Sequence, residues 1–348
     1  MNATRNETGG RDLRIDAIKG FLIFLVLWGH VIQNITSNEG YYDDWIFRII
    51  YSFHMPLFAL MNGYLFYPSQ QKRDCKKALQ QKIIGLLVPI MAWTTLDWML
   101  GGILHRKIEA SEWIDILGGN MLWFLWSVLA ANLVLIIAEK ILKHRMVRMC
   151  WIIIGFFLMY LFPNPELNLF LYPYIVLGFY YKKYSKSFGK IKKYVWISVP
   201  IYVLFLCFYD KTSFIYTTGI SIWKQGTTIQ THIFIDLYRY FIGFVGSIAI
   251  IYLVCILFGK FNVLDKCLCT CGKYTMQIYI TQCFFFKLFG MVWNRVGDRL
   301  INTALFTSTI TRDFVMAIPA SLVLVVILLL AAKIFEKNKL LNKVLFGR

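Results

Sequence analysis

The sequence predicts an all-α membrane protein, a bundle of about ten transmembrane helices with both termini in the cytoplasm. Of its 348 residues 58% are hydrophobic and 17% aromatic, and the mean hydropathy is +0.57. A soluble domain is nearer ~45–50% apolar. Apolar stretches long enough to cross a bilayer recur along the whole chain. We therefore expect residues 1–348 to form a single integral-membrane domain.

Ten apolar stretches mark the predicted spans. In chain order they cover residues 15–36, 44–66, 80–102, 121–142, 148–162, 168–182, 194–210, 233–258, 274–293 and 313–333. The fifth and sixth are short, and Pro163, Pro165 and Pro173 interrupt the apolar pattern there. The first is long and follows a polar N-terminus, which indicates a span rather than a cleavable signal peptide.

The orientation follows from the distribution of basic residues. If the N-terminus is cytoplasmic, 27 of the 37 Lys and Arg residues fall in inside segments and 7 in outside loops. Membrane proteins concentrate Lys and Arg in their cytoplasmic loops, so this asymmetry favours cytoplasmic termini and an even number of spans. The same rule explains the net charge of +18, and we expect no nucleic-acid partner.

The first span carries a lysine and a histidine on one helical face. The stretch from Arg14 to His30 reads RIDAIKGFLIFLVLWGH. The distance from Lys19 to His30 is ~16 Å along a helix, about three whole turns, so both side chains face the same way. Because an ionisable residue inside a membrane is costly, His30 is a candidate functional residue.

A second histidine lies at a similar depth in the second span. His30 is about seven residues inside the outer end of span one, and His54 is about nine residues inside span two. A short loop joins the two spans, so they are expected to be antiparallel neighbours whose imidazoles share one layer. The alternative is a hydrogen-bonded structural histidine in each helix. Two histidines at matched depth favour function.

Four more charges lie within predicted spans, toward the outer half of the membrane. They are Arg48 in span two, Asp97 in span three, and Asp236 and Arg239 in span eight. Asp236 and Arg239 are three residues apart and can pair on one helical face. The alternative interpretation is a structural ion pair, or side chains that reach the membrane surface.

Trp123 and Trp126 open the fourth span. An aromatic belt at the membrane interface explains them as well as a surface on which a sugar ring stacks.

The chain has eight cysteines, three of which alternate in a predicted cytoplasmic loop. These are Cys267, Cys269 and Cys271. Zinc normally takes four ligands at other spacings, and thiols in the cytoplasm are reduced by default. We expect no metal site.

The residues around His30 and His54 resemble those of membrane acyltransferase family 3, whose members move acyl groups, usually acetyl, from coenzyme A onto sugars of surface polysaccharides. The pattern R-x-D-x-x-K-G ending in G-H resembles the family motif, in which histidine follows an arginine after ten residues. Lys19 stands at the arginine position, as in the branch that resembles fucose 4-O-acetylases, and keeps the charge without the bidentate fork. The string F-H-M-P-L-F resembles the family's second span, although Asn62 replaces the usual serine before Gly63.

Three later segments resemble the family at consistent positions. These are DLYRYFIGFVGS at residues 236–247, LWFL at residues 122–125 and CGKYTMQIYITQ at residues 271–282. Gln282 stands where the family often has a histidine, and a glutamine cannot carry that histidine's proton.

The resemblance implies an O-acyltransferase of the bacterial cytoplasmic membrane. Acetyl-CoA or another acyl-CoA would be the donor substrate, with no tightly bound cofactor. The acceptor would be a hydroxyl of a cell-surface polysaccharide or of its lipid-linked precursor, with polysaccharide biosynthesis proteins as possible partners.

The resemblance also implies roles for individual residues. His30 is either the general base that takes the proton of the sugar hydroxyl or a covalent acyl carrier. His54 orients His30 or acts as a second acid–base group, and Arg48 or Arg239 stabilises the oxyanion. The cations expected to bind the phosphates of coenzyme A are Arg14, Lys19 and Lys273. The residues expected to bind the acceptor are Asp97, Trp123 and Asp236.

Two alternatives to this function stay open at the level of sequence. A transporter of polysaccharide or lipid-linked sugar would also carry charges and histidines within its spans. An acyltransferase that acts on an amine or a lipid is the other.

Overall fold

The computed structural model describes residues 12–35, 39–71, 73–105, 109–119, 122–185, 191–220, 228–301 and 311–348. Within these ranges the chain is helical and contains no strand, which confirms the predicted all-α class. The predicted end of the first span, residue 36, lies outside the described residues.

Fifteen α-helices follow one another in the described chain. They are α1 (Leu13–Ile35), α2 (Trp45–Gln71), α3 (Cys75–Lys82), α4 (Val88–His105), α5 (Ala110–Gly118), α6 (Trp123–Lys140), α7 (Arg145–Leu158), α8 (Pro165–Lys183), α9 (Ser198–Leu206), α10 (Ile215–Thr218), α11 (Ile229–Leu257), α12 (Asn262–Lys273), α13 (Thr275–Ile301), α14 (Ile318–Lys337) and α15 (Lys339–Phe346).

Six helical segments of the described chain are long and apolar enough to cross a membrane. They are Leu13–Asn34, Trp45–Gln71, Cys75–Ile103, Trp123–Lys140, Ile229–Leu257 and Arg312–Lys337. They coincide with the first four, the eighth and the tenth predicted spans, and the protein is therefore a membrane protein. The other four predicted spans also contain helix, in α7, α8, α9 and α13. The count of ten spans and the cytoplasmic termini stay predictions.

Short amphipathic helices occupy segments that the sequence pattern left between spans. The three alternating cysteines, predicted to lie in a loop, belong to helix α12, so that prediction was wrong. Near the C-terminus, α15 begins with an Asn338 side chain that accepts two backbone N–H groups and ends at Gly347, whose φ is +68°. These are a standard helix N-cap and a left-handed C-terminal stop.

The chain forms two compact units. The first consists of Met1–His54, Lys193–Lys211 and Ile242–Lys333, and the second of Met55–Lys192, Thr212–Phe241 and Ile334–Arg348. Both α2 and α11 belong partly to each unit.

In the first unit α1 packs closely against α12. A β-carbon at Gly20 would overlap the Leu268 carbonyl, and one at Gly272 would overlap the Asp16 carbonyl. Small residues let membrane helices approach this closely. The glycine of the C-G-K-Y segment thus brings the end of α12 against the start of α1. Helix α1 also contacts α13 and the π-helical segment Thr311–Ala317.

In the second unit α2 packs against α8, and α8 packs against α6. A β-carbon at Gly63 would overlap the Ile175 carbonyl, and one at Gly178 would overlap the Leu60 carbonyl. The α6–α8 contact includes a buried hydrogen bond of 2.6 Å from Ser127 Oγ to Asn168 Oδ1.

Candidate active site

His30 and His54 both belong to the first unit, where one tyrosine connects their helices. A β-carbon at Gly29 would lie 2.8 Å from Cε2 of Tyr51, so α1 and α2 meet at this level because Gly29 has no side chain. The Tyr51 ring in turn lies edge-on to His54, with ring centroids 4.6 Å apart. Because Gly29 directly precedes His30, the contact of Gly29 with Tyr51 places the two imidazoles in one layer.

The tautomer of His54 follows from its backbone contact. Its Nδ1 lies 2.8 Å from the carbonyl oxygen of Ile50, and the residue is 3% exposed. Because a carbonyl oxygen can only accept, Nδ1 carries a proton and Nε2 is the acceptor of the neutral ring. His54 thus presents a lone pair that can take a proton.

His30 lies beside an aromatic ring of α13. Its ring centroid is 5.4 Å from that of Phe286. Its backbone oxygen accepts a hydrogen bond of 2.7 Å from Asn34 Nδ2. The imidazole thus lies where α1 contacts α13.

A polar pair supports α2 immediately before His54. The hydroxyls of Ser52 and Tyr202 lie 2.7 Å apart, and both residues are buried. A β-carbon at Gly246 would lie 2.7 Å from the Tyr202 ring and 2.9 Å from Cβ of Phe53. Gly246, which belongs to the family-like segment at residues 236–247, therefore makes room for the part of α2 that carries His54.

The three predicted donor-binding cations belong to the first unit. Lys19 Nζ lies 3.4 Å from Asp16 Oδ1 and is largely buried, whereas Arg14 is exposed. Lys273 is exposed and lies over the Tyr274 ring, 4.7 Å from its centroid. Because Gly272 touches the Asp16 backbone, Lys273 lies beside the start of α1. The structure thus brings these three cations to one end of α1.

The alternating cysteines of α12 differ in their surroundings, and Cys267 is exposed whereas Cys271 is buried. No group of three or more His, Cys, Asp or Glu side chains among the described residues could hold a metal ion. The Cys269 thiol donates to the Leu13 carbonyl at 3.3 Å. Burial raises the pKa of the Cys271 thiol to about 11, so this side chain is a neutral thiol at physiological pH.

Arg48 contacts the turn before α2. Its Nε donates to the Tyr42 carbonyl at 2.8 Å, and its Nη2 lies 2.8 Å from Asp43 Oδ1. Its guanidinium also lies over the Trp45 ring, 5.8 Å from the centroid. These contacts hold the turn that joins the first two spans.

Arg239 belongs to the second unit and is 2% exposed. Its Nε donates to the Ser213 carbonyl, its Nη1 to Gly219 and Asp236, and its Nη2 to Thr212 and Thr218. A guanidinium has five N–H groups, so all of them are occupied within this unit. Arg239 therefore holds the segment of residues 212–219 in place through hydrogen bonds.

Asp97, Trp123 and Asp236 are the predicted acceptor residues, and all three lie in the second unit. Asp236 makes the ion pair with Arg239 at 3.1 Å, and Asp97 is 2% exposed. Trp123 lies edge-on to Tyr216, with ring centroids 6.1 Å apart, and Tyr216 is 43% exposed. The segment that Arg239 holds in place thus carries an aromatic ring that contacts Trp123.

Sequence reasoning missed Tyr51, Tyr202 and Asp16 as parts of this arrangement. Tyrosines are common in membrane spans, and nothing in the local pattern distinguishes these two. The glycine immediately before His30 was the one available signal for a close helix contact at that level.

Comparison with known proteins shows which family this sequence matches. The model of acyltransferase family 3, described as an acyltransferase domain, matches residues 12–336. The chain is 26% identical over 312 residues to Nodulation protein NolL of Mesorhizobium japonicum, covering 82% of this chain and 81% of the relative. It is 32% identical over 178 residues to Nodulation protein NolL of Sinorhizobium fredii, covering 49% of this chain and 48% of the relative. No solved structure matches the chain.

Proposed function

The chain belongs to acyltransferase family 3 and is a membrane acyltransferase, and from this premise we propose that it transfers an acetyl group from cytoplasmic acetyl-CoA to a hydroxyl of a cell-surface polysaccharide or its lipid-linked precursor. Both termini lie in the cytoplasm in this proposal, ten helices cross the membrane, and the membrane is the bacterial cytoplasmic one. The excess of basic residues in the inside segments supports that orientation.

The reaction exchanges a thioester for an ester. The acceptor oxygen adds to the thioester carbonyl while a base takes the hydroxyl proton, and a tetrahedral oxyanion forms. The C–S bond then breaks, the carbonyl reforms as the ester, and the proton ends on the sulfur of coenzyme A. Atoms and charge balance without a redox partner.

His30 is the general base in this proposal, and His54 is the second acid–base group. The observation that supports the assignment is the layer formed by the two imidazoles on either side of the Gly29–Tyr51 contact, in which the Ile50 carbonyl fixes the proton of His54 on Nδ1. A neutral imidazole transfers protons efficiently near pH 7. A covalent acyl-His30 intermediate uses the same geometry and differs only in which atom attacks first.

Donor binding falls to the cations at the start of α1. Coenzyme A carries phosphate groups, and charge-assisted hydrogen bonds from Lys and Arg are the strong way to hold them. Lys19 is held near Asp16, whereas Arg14 and Lys273 are exposed. In this proposal Lys19 supplies a positive charge at a fixed position, and the exposed side chains of Arg14 and Lys273 can move to contact the phosphates.

Acceptor binding is proposed for Asp97, Trp123 and Asp236. Trp123 with Tyr216 offers aromatic surface for a sugar ring, and Asp97 and Asp236 offer carboxylates for its hydroxyls. All five N–H groups of Arg239 donate hydrogen bonds to residues of its own unit. We therefore propose that Arg239 holds the segment containing Tyr216 in place and does not stabilise the oxyanion.

The test is thiol release by the purified protein in lipid vesicles. Acetyl-CoA together with a surface glycan should release free coenzyme A, and mass spectrometry should find an added acetyl group on the glycan. Glycan movement across the vesicle without thiol release would show a transporter instead. Thiol release with an amine or lipid acceptor only would keep the acyltransferase and reject the polysaccharide.

A further inference from the structure

The side chain of Gln282 is a buried amide that has no hydrogen-bond partner among the described residues. Gln282 is 0% exposed, and neither its Nε2 nor its Oε1 makes a hydrogen bond within the described residues. An unsatisfied buried polar group costs ~1–3 kcal/mol. Native proteins rarely leave both ends of a buried amide unpaired, so the residue calls for an explanation.

The face of α13 that carries Gln282 is the one that reaches His30. Residues 278, 282 and 286 are four apart and share one helical face. Ile278 at one end of this face is 0% exposed, and Phe286 at the other contacts the His30 ring at 5.4 Å between centroids. Gln282 lies one turn from Phe286, ~6 Å along the helix. All these residues belong to the first unit.

Two candidate donors of the first unit bind protein partners, whereas a third buried donor, the indole Nε1 of Trp28, has no hydrogen-bond partner among the described residues. Arg48, the other candidate for the oxyanion there, binds Tyr42 and Asp43. The Nδ1 of His54 donates to the Ile50 carbonyl. The amide N–H groups of Gln282, one helical turn from the Phe286 ring that contacts His30, are buried and make no such bond to any residue that the structure describes.

We propose that Gln282 is a catalytic residue whose Nε2 donates a hydrogen bond to the carbonyl oxygen of the bound acyl group. This inference rests on the proposed function and adds an oxyanion donor to it. The bond shortens as the acceptor adds and negative charge develops on that oxygen, and it relaxes when the C–S bond breaks. Gln282 gives up no proton at any step. Oxyanion donors of this kind are neutral, fixed in place and shielded from water.

The proposal predicts that removing the amide lowers the turnover without lowering the melting temperature. Gln282→Met keeps the length and burial of the side chain and removes both polar ends. Turnover should fall ~10²–10³-fold, as for loss of one oxyanion donor, with little change in the apparent KM for acetyl-CoA. The melting temperature should stay the same or rise, because an unpaired buried amide is gone. The pH dependence of kcat should keep its shape, because glutamine does not titrate.

The matched control is Asn132→Leu in α6. Asn132 is also 0% exposed with both amide atoms unpaired in the described chain, but it belongs to the second unit. Its replacement should leave turnover unchanged and give the same direction of change in melting temperature.

Each outcome decides the proposal. Wild-type turnover in Gln282→Met overturns it. A marked drop in the melting temperature of that variant, or its failure to fold, also overturns it, because the amide would then be a structural partner. Absence of thiol release by the wild-type protein overturns the proposed function itself, which distinguishes the two failures.

Discussion

Gly29 of α1 lies against the edge of the Tyr51 ring of α2, so closely that a β-carbon on Gly29 would come within 2.8 Å of Cε2. This contact sits between the two histidines, because Gly29 precedes His30 and Tyr51 faces His54. The spacing of the imidazoles therefore depends on a position that carries no side chain.

Replacing Gly29 by alanine should reduce turnover about tenfold or more. The new methyl group must displace the Tyr51 ring, which contacts His54, and small displacements of catalytic groups are costly. Steady-state kinetics of the purified variant would measure the effect. Gly101→Ala in α4, where nothing lies within 4 Å of the new β-carbon, is the control and should keep wild-type turnover. Unchanged turnover in Gly29→Ala would show that the two helices separate there without affecting the chemistry.

Replacing Lys19 by alanine should chiefly weaken use of the acyl donor. Lys19 is a largely buried cation at the start of α1, and phosphate binding is mainly electrostatic. The apparent KM for acetyl-CoA should rise, and Lys19→Arg should be partly active. The control is Lys77→Ala, which removes an exposed lysine paired to Asp74 at 3.9 Å and should change neither the KM for acetyl-CoA nor kcat. If KM is constant while kcat collapses in Lys19→Ala, the lysine takes part in the chemistry instead.

Replacing Arg239 by lysine should lower the stability of the protein and not only its turnover. A lysine has three donors where the guanidinium uses five, so buried carbonyls of the 212–219 segment lose partners. We expect a loss of ~2 kcal/mol or more, seen as a lower melting temperature and as faster proteolysis near residue 216. Arg48→Lys, which disturbs one turn, should have a smaller effect. A stable but inactive Arg239→Lys would favour a direct catalytic role.

Thiol labelling should separate the cysteines of α12 and report the orientation of the chain. Cys267 is exposed, whereas burial raises the pKa of Cys271 to about 11 from its ordinary value near 9. The thiolate is the reactive form, so at pH 8 a variant with Cys267 alone should label much faster than one with Cys271 alone. Raising the pH toward 11 should narrow the difference. A membrane-impermeant reagent should reach Cys267 in inverted vesicles and not in intact cells; the reverse would overturn the proposed orientation.

Six of the ten predicted spans coincide with helices that are long and apolar enough to cross a membrane, whereas the contacts between helices could not be predicted. The hydropathy of α1 and α2 is a local property that any folded arrangement must satisfy, so these helices are visible in the sequence alone. Helix α12 was missed because twelve residues are too few for a span and its alternating cysteines do not suggest a helix.

In the candidate site, too, the sequence indicated individual residues but not the contacts between them. His30 and His54 could be proposed because ionisable residues within spans are unusual. The hydrogen bonds of Arg239 could not be, because its carbonyl partners lie 20 to 27 residues away in the chain. The contact of Gly272 with Asp16 depends on tertiary packing, which brings together residues far apart in the sequence.

The most direct measurement of the central claim is acetyl transfer by His30→Gln. Glutamine keeps a hydrogen-bonding side chain but cannot exchange a proton, so the variant should fold, insert and express as the wild type does. Its turnover in the vesicle assay should be ~10²–10⁴-fold lower, the usual effect of losing a positioned acid–base group. A well-expressed His30→Gln protein with near-wild-type turnover would contradict the account, since His30 would then be a structural residue.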